Sequence, residues 1–137
     1  MKILTYLFFD GNCREAFERY AQVLGGEIAN LVTYGQIPGA ADSASRDLVM
    51  HAFLRIGEQG LMGSDTGDHA YEAPAGCCVS FHTEDLQRAR EIFEALAQGG
   101  RVTMAFEETE WSPGFGQLID AFGVPWMVNT EVPMPAG

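Results

Sequence analysis

The chain has 137 residues, with 8 Lys and Arg against 19 Asp and Glu, for a formal charge of −11. At 47% hydrophobic and 20% charged residues it can bury a core, and it is too apolar for a disordered tail. Its few, scattered cations exclude the usual nucleic-acid and anionic-membrane binders, and no apolar run approaches the ~18 residues of a membrane span.

The apolar stretch 3–9 has one Lys before it, meets Asp10 at once and lacks a small-residue cleavage site, so it reads as a strand rather than a signal peptide. Asn12 then starts a helix, with Glu15 as reciprocal capping partner, and Ala16, Phe17, Tyr20 and Leu24 form one apolar stripe. Gly25-Gly26 stops that helix and 27–34 returns as a strand. Residues 38–46, rich in Gly, Ala and Ser, read as a surface loop, followed by strands 49–56 and 60–64. Residues 63–75 read as the loop joining two halves.

The second half repeats this order. A strand over 77–83 leads to a helix capped by Thr83 or Asp85, with the stripe Leu86, Ala89, Phe93 and Leu96. Gly99-Gly100 stops it, 74 positions after the first double glycine, and strands follow at 102–106, 115–121 and 125–130. Pro125 can only begin a ladder or lie on an edge. Residues 133–137 are expected to fray. The unit is therefore β-α-β-β-β used twice, an α+β fold with modules 1–65 and 76–131 in one domain spanning 1–137. Phe17 and Phe93 are the expected anchors that seat each helix.

Alternation sorts the strand side chains by face. Met50, Ala52, Leu54 and Ile56 lie towards the helices; His51, Phe53 and Arg55 point away. Cys77, Val79 and Phe81 oppose Cys78, Ser80 and His82, while Val124, Trp126 and Val128 oppose Met127 and Asn129. The far face thus collects an apolar floor with a few polar groups, the make-up of a small-molecule pocket.

Two stretches resemble the PhnB-like proteins of the glyoxalase/bleomycin-resistance/dioxygenase group, the vicinal oxygen chelate superfamily. The first runs Tyr6-Leu7-Phe8-Phe9-Asp10-Gly11-Asn12-Cys13-Arg14-Glu15-Ala16-Phe17, then Tyr20 and Val23-Leu24-Gly25-Gly26-Glu27. The second holds Glu108-Thr109, Trp111, Phe115-Gly116, Asp120, Phe122-Gly123-Val124-Pro125-Trp126-Met127 and Asn129. Val49-Met50-His51-Ala52 and Leu61-Met62-Gly63-Ser64-Asp65 match between them, and Glu110 stands where the family more often has an aromatic. The resemblance implies a cup-shaped mixed sheet of paired modules and a homodimer. Relatives labelled ubiquinone-pathway methyltransferases add little, since no Gly-rich loop after a strand here could hold S-adenosylmethionine.

In metal-using members of that superfamily, His and Glu from four strands hold one divalent ion. Here His51 falls near one ligand position, but the others fall near Leu4, Gly76 and Met127, which cannot ligate it. A two-residue slip would bring in Tyr6, Cys78 or Asn129. The expectation is no metal and no cofactor. His51 then acts either as a cleft histidine bonded to a neighbour or as a base or donor to substrate.

Residues 65–69, Asp-Thr-Gly-Asp-His, open like a calcium loop but carry Gly at the third and twelfth positions, which marks a turn. Glu107, Glu108 and Glu110 read as a solvated acidic loop, and Cys77 and Cys78 as buried small residues. Trp126 suits the core, Trp111 a pocket. The candidate ligand-binding set is His51, Phe53, Arg55, Ser80, Glu108, Trp111, Phe115 and Asn129. Three cysteines, odd in number and two of them adjacent, suit a reducing, cytoplasmic setting. The expected reading is a ligand-binding protein working without metal; a metal-dependent lyase, isomerase or dioxygenase using His51, and a scaffold with a vestigial cleft, are the alternatives.

Overall fold

A computed structural model describes residues 1–38, 44–66 and 70–132. Its strands and helices run β1 (Thr5–Phe9), α1 (Cys13–Leu24), β2 (Glu27–Thr33), β3 (Val49–Ile56), β4 (Gln59–Asp65), β5 (Val79–Thr83), α2 (Leu86–Ala97), β6 (Arg101–Glu107), β7 (Phe115–Ile119) and β8 (Pro125–Thr130). Short 3-10 turns at Tyr34–Gln36 and Ala44–Asp47 lie between β2 and β3. The chain divides into two compact units, Met1–Glu72 and Ala73–Gly137.

Each unit is a four-stranded mixed sheet with one helix, in the order β1-β4-β3-β2 in the first and β5-β8-β7-β6 in the second. The first and last strands of each unit pair in parallel and the other neighbours antiparallel. This is the α+β arrangement of two βαβββ modules that the repeat predicts.

In the first unit Ala16, Phe17, Tyr20 and Leu24 are buried under α1, and Ala52 and Leu54 are fully buried beneath them on β3. The Phe17 ring lies directly on Gly63, where a Cβ would come within 2.8 Å of the ring. In the second unit Phe93 seats on Gly116 of β7, where a Cβ would meet that ring at 2.7 Å. The buried stripe of α2 is Ala89, Ile92, Phe93 and Leu96. Leu86, expected in that stripe, is 39% exposed, though its Cδ1 still packs against Gly114.

The helix starts differ from expectation at one end and match at the other. Asn12 makes no side-chain capping bond, and its Oδ1 is buried without a hydrogen-bond partner. The acceptor is Asp65, which pairs with Phe9 at the point where β1 gives way to α1. Its Oδ1 accepts from Cys13 N at 3.0 Å and its Oδ2 from Val49 N at 2.8 Å. A negative charge beside the first turn also suits the helix dipole. Asp85 caps α2 locally, accepting from Arg88 N at 3.1 Å, while Thr83 Oγ1 holds Asp85 N.

Only β3 and β8 keep the expected bounds; the other six strands differ by one or two residues at one end or both. Strand β4, expected over 60–64, starts at Gln59 and runs on through Asp65, which reads in the sequence as part of the joining loop. Strand β5 begins at Val79, not at Cys77, since the residue opposite Cys78 would be Pro125, which has no N–H. Strand β7 ends at Ile119 because Asp120 turns the chain: its carboxylate accepts from Phe122 N, Val124 N and Trp126 Nε1. Trp126 is accordingly buried in the core. Part of the loop 38–46, most of the calcium-like segment and the tail 133–137 lie outside the described residues.

Candidate functional site

The far face of the first sheet is aromatic. Tyr6 is cross-strand neighbour to Met62, and Met62 to Phe53, so the three form one row across β1, β4 and β3. Tyr6 stacks on His51 with ring centroids 5.7 Å apart, and its hydroxyl lies 3.1 Å from His51 Nδ1. Phe8 tilts against Tyr6 and is 54% exposed. His51 thus lies on the far face of the first sheet, within hydrogen-bond distance of Tyr6. Phe53 is half-buried and, with residues 2–5 and 58–60, lines a hollow of about 430 Å³. Arg55 shares the parity of His51 and Phe53, but its guanidinium pairs with Glu27, its partner across β2.

The far face of the second sheet carries a chain of polar groups that ends on two aromatic rings. His82 Nε2 lies 2.6 Å from Ser80 Oγ, two residues back on β5, and His82 Nδ1 lies 3.2 Å from Asn129 Nδ2 on β8. With Asn129 donating to Nδ1, the ring carries its proton on Nε2 and donates to Ser80, which leaves the serine hydroxyl proton free to donate outward. Glu131 Oε1 stands 3.9 Å from the same Nδ1. Asn129 is in turn the cross-strand partner of Phe115, whose ring meets Trp111 edge-on at 5.6 Å.

Trp111 is held out at the tip of a pinned turn. Thr109 N donates to Ser112 O and Ser112 N to Thr109 Oγ1. The buried Ser112 hydroxyl lies 2.9 Å from the carbonyls of both Gly114 and Thr130. Trp111 is 65% exposed, so a rigid base presents an open indole. Glu108 stands exposed just before this turn.

Of the expected set, the structure thus joins Ser80, Asn129, Phe115 and Trp111 in one run and keeps His51 with Phe53 in the other unit. Arg55 is engaged at the sheet border. His82 and Tyr6 were missed as site residues, though alternation puts His82 beside Ser80, and the parity of Leu7 and Phe9 puts Tyr6 on the open side. Cys77 and Cys78, expected to be buried, are both exposed. Cys13 is buried, and desolvation, then the charge of Asp65, pushes its thiol up to about 12.

The divalent ion of the superfamily does not fit this donor set. Among the described residues no three His, Cys, Asp or Glu side chains gather closely enough to hold one ion. No chemical step is therefore routed through a metal.

The paired βαβββ modules and their far-face polar groups define a protein of the glyoxalase/bleomycin-resistance/dioxygenase fold. The family model described as 3-demethylubiquinone-9 3-methyltransferase matches residues 1–129, and the chain belongs to this PhnB-like family. It is 30% identical to Protein YjdN of Escherichia coli, covering 98% of this chain and 99% of that one. Among solved structures it is similar to protein PA1353 of Pseudomonas aeruginosa, at 43% identity and a TM-score of 0.89 over 96% and 98% of the two chains. A putative 3-demethylubiquinone-9 3-methyltransferase, PhnB protein, of Bacillus cereus aligns at 26% identity and a TM-score of 0.80, over 94% and 98%. A glyoxylase/bleomycin resistance protein/dioxygenase domain of Frankia shares the fold alone, at 13% identity and a TM-score of 0.64 over 96% and 98%.

Proposed function

We propose that the chain is a cytoplasmic, homodimeric small-molecule-binding protein that works without a metal, and that it takes a planar, partly polar ligand on the far face of its second sheet. The observation that carries this reading is the continuous run Ser80–His82–Asn129–Phe115–Trp111. An exposed indole on a pinned turn supplies a flat apolar plate at one end of the run, and the serine hydroxyl supplies a polar group at the other. Ligand orientation then comes from hydrogen bonds whose partners are themselves held in place.

The methyl transfer named in the family's description is set aside. The turns between strand and helix, Asp10–Asn12 and Glu84–Asp85, hold one glycine between them, Gly11, so neither is the Gly-rich loop that would let the backbone approach S-adenosylmethionine. Phe8 on the edge strand β1 and Met104 on the edge strand β6, both exposed, support pairing of two copies.

The test is a fragment screen by ligand-observed NMR on protein treated with chelator. Aromatic fragments carrying an acceptor oxygen are expected to bind the wild type, to lose binding in Trp111→Ala and to weaken about tenfold in Ser80→Ala, while His51→Ala binds as wild type. Fragments that bind only after zinc or manganese is added, and lose binding in His51→Ala, reverse the reading in favour of a metal-dependent enzyme. Light scattering is expected to give twice the 14.9 kDa chain mass.

A further inference from the structure

Residues two apart on β5 share a face, and this brings Ser80 and His82 together on the open side of the second sheet. Ser80 Oγ lies 2.6 Å from His82 Nε2, the reach of a nucleophile and its base, and Asn129 Nδ2 lies 3.2 Å from the other ring nitrogen. Ser80 and His82 are both exposed, so an incoming carbonyl can reach the hydroxyl.

The direction of the proton decides what the pair does. With Asn129 Nδ2 donating to Nδ1, the ring donates to the serine, and the pair serves ligand binding. Two acceptors stand ready to hold the proton on Nδ1 instead. Glu131 Oε1 is 3.9 Å from that nitrogen, and Asn129 Oδ1, buried without a hydrogen-bond partner, takes the place of Nδ2 when the amide turns over. The proton then sits on Nδ1, and Nε2 accepts from the Ser80 hydroxyl across the same 2.6 Å.

The backbone supplies a donor for the charge that develops. Strand β5 is the outermost of its sheet, and Thr83 turns its carbonyl to Glu131 N beyond β8. Alternate residues of a parallel strand bond to the same neighbour, so Ser80 and His82 turn their N–H groups away from β8. Within its sheet the Ser80 N–H is thus left for an oxyanion formed on its own side chain. One such donor suits a substrate whose leaving group departs readily, which selects aryl esters over amides.

We propose that Ser80, with His82 as general base, is the nucleophile of an aryl esterase site. This rests on the ligand face proposed above and names its substrate class. Ser80 Oγ bonds to the acyl carbon as its proton passes to His82 Nε2. Collapse of the tetrahedral adduct breaks the bond to the aryl oxygen, which leaves with that proton as a phenol. Water then adds to the acyl-serine and gives a proton to Nε2; Ser80 takes that proton back as the carboxylic acid departs. Only ester and water are consumed.

The experiment mixes the full chain, treated with chelator, with p-nitrophenyl acetate and reads the burst of nitrophenol and the acetylated peptide by mass. A burst of one equivalent is expected, with acetyl on Ser80 and a rate that rises with pH along a single titration. Ser80→Ala should lose the burst, and His82→Gln should slow it about 100-fold and flatten the pH profile. A fluorophosphonate should label Ser80 and abolish the burst. Acetyl that maps to Cys77, Cys78 or a lysine instead, a burst that survives Ser80→Ala, or a rate indifferent to His82→Gln overturns the proposal. Aromatic fragments that bind the wild type while Ser80 stays unacetylated overturn it alone and leave the ligand-binding reading in place.

Discussion

The two units solve the same packing problem with their small residue on different strands. In the first unit one row runs Leu7–Gly63–Ala52 across β1, β4 and β3; in the second it runs Phe81–Val128–Gly116 across β5, β8 and β7. Phe17 needs the glycine on β4 and Phe93 needs it on β7. The glycine has moved one strand along the row. What is shared between the modules is a ring pressed on a strand that has no Cβ there, and its position within the row is free to vary.

The second difference concerns the helix starts. The first turn of α1 is capped from Asp65, 52 residues away, whereas α2 is capped from Asp85 at its own doorstep. The position across from Thr83 that corresponds to Asp65 holds Thr130, whose buried Oγ1 has no hydrogen-bond partner. One helix start is thus a product of the completed sheet and the other a product of local sequence.

The strongest way to break the comparison is to remove the anchors. Phe17→Ala and Phe93→Ala should each cost about 3–5 kcal/mol in denaturant titrations; a variant that melts like wild type means its ring is not an anchor. Asp65→Ala should cost about 2–4 kcal/mol, since two buried backbone N–H groups lose a charged acceptor. Gly63→Ala and Gly116→Ala should each cost about 1–3 kcal/mol. The two losses should be similar, because each added Cβ meets backbone as well as a ring: Leu7 O at 3.1 Å for Gly63 and the Phe106 Cα at 3.0 Å for Gly116.

Asp85→Ala should cost only about 1 kcal/mol. A loss equal to that of Asp65→Ala would erase the distinction between local and long-range capping. The smallest expected effect is alkaline. The Cys13 thiol is raised from 9.0 to about 12 in the folded chain, so its contribution is complete below pH 9 and is lost as pH rises towards 12. Cys13→Ala should flatten that part of a stability–pH profile, and an unchanged slope there would mean that Cys13 ionises as freely folded as unfolded.

Strands β3 and β8 were legible to the residue because alternation and a leading proline mark them directly. The α1 cap was not, since Asn12 has the right chemistry for the position and nothing in the local sequence shows that Asp65 arrives first. The faces were legible from parity, which placed His51, Phe53, Ser80 and Asn129 on the open sides. Partners were not: that Arg55 pairs with Glu27, or that His82 links Ser80 to Asn129, depends on strand register and rotamer. The exposure of Cys77 and Cys78 hinged on one residue, Pro125, on a strand met 47 positions later than Cys78.

The parallel pairing of β1 with β4 bears on how the chain is made. A ribosome adding about 5–20 residues each second releases Phe9 some 56 residues before Asp65, and so about 3–11 seconds earlier. Through that interval Thr5–Phe9, with Tyr6, Phe8 and Phe9 among its five residues, has no strand to pair with. The nascent first unit is therefore an apolar ribbon open to holdase chaperones, and slowing translation before codon 59 should lengthen its stay on them.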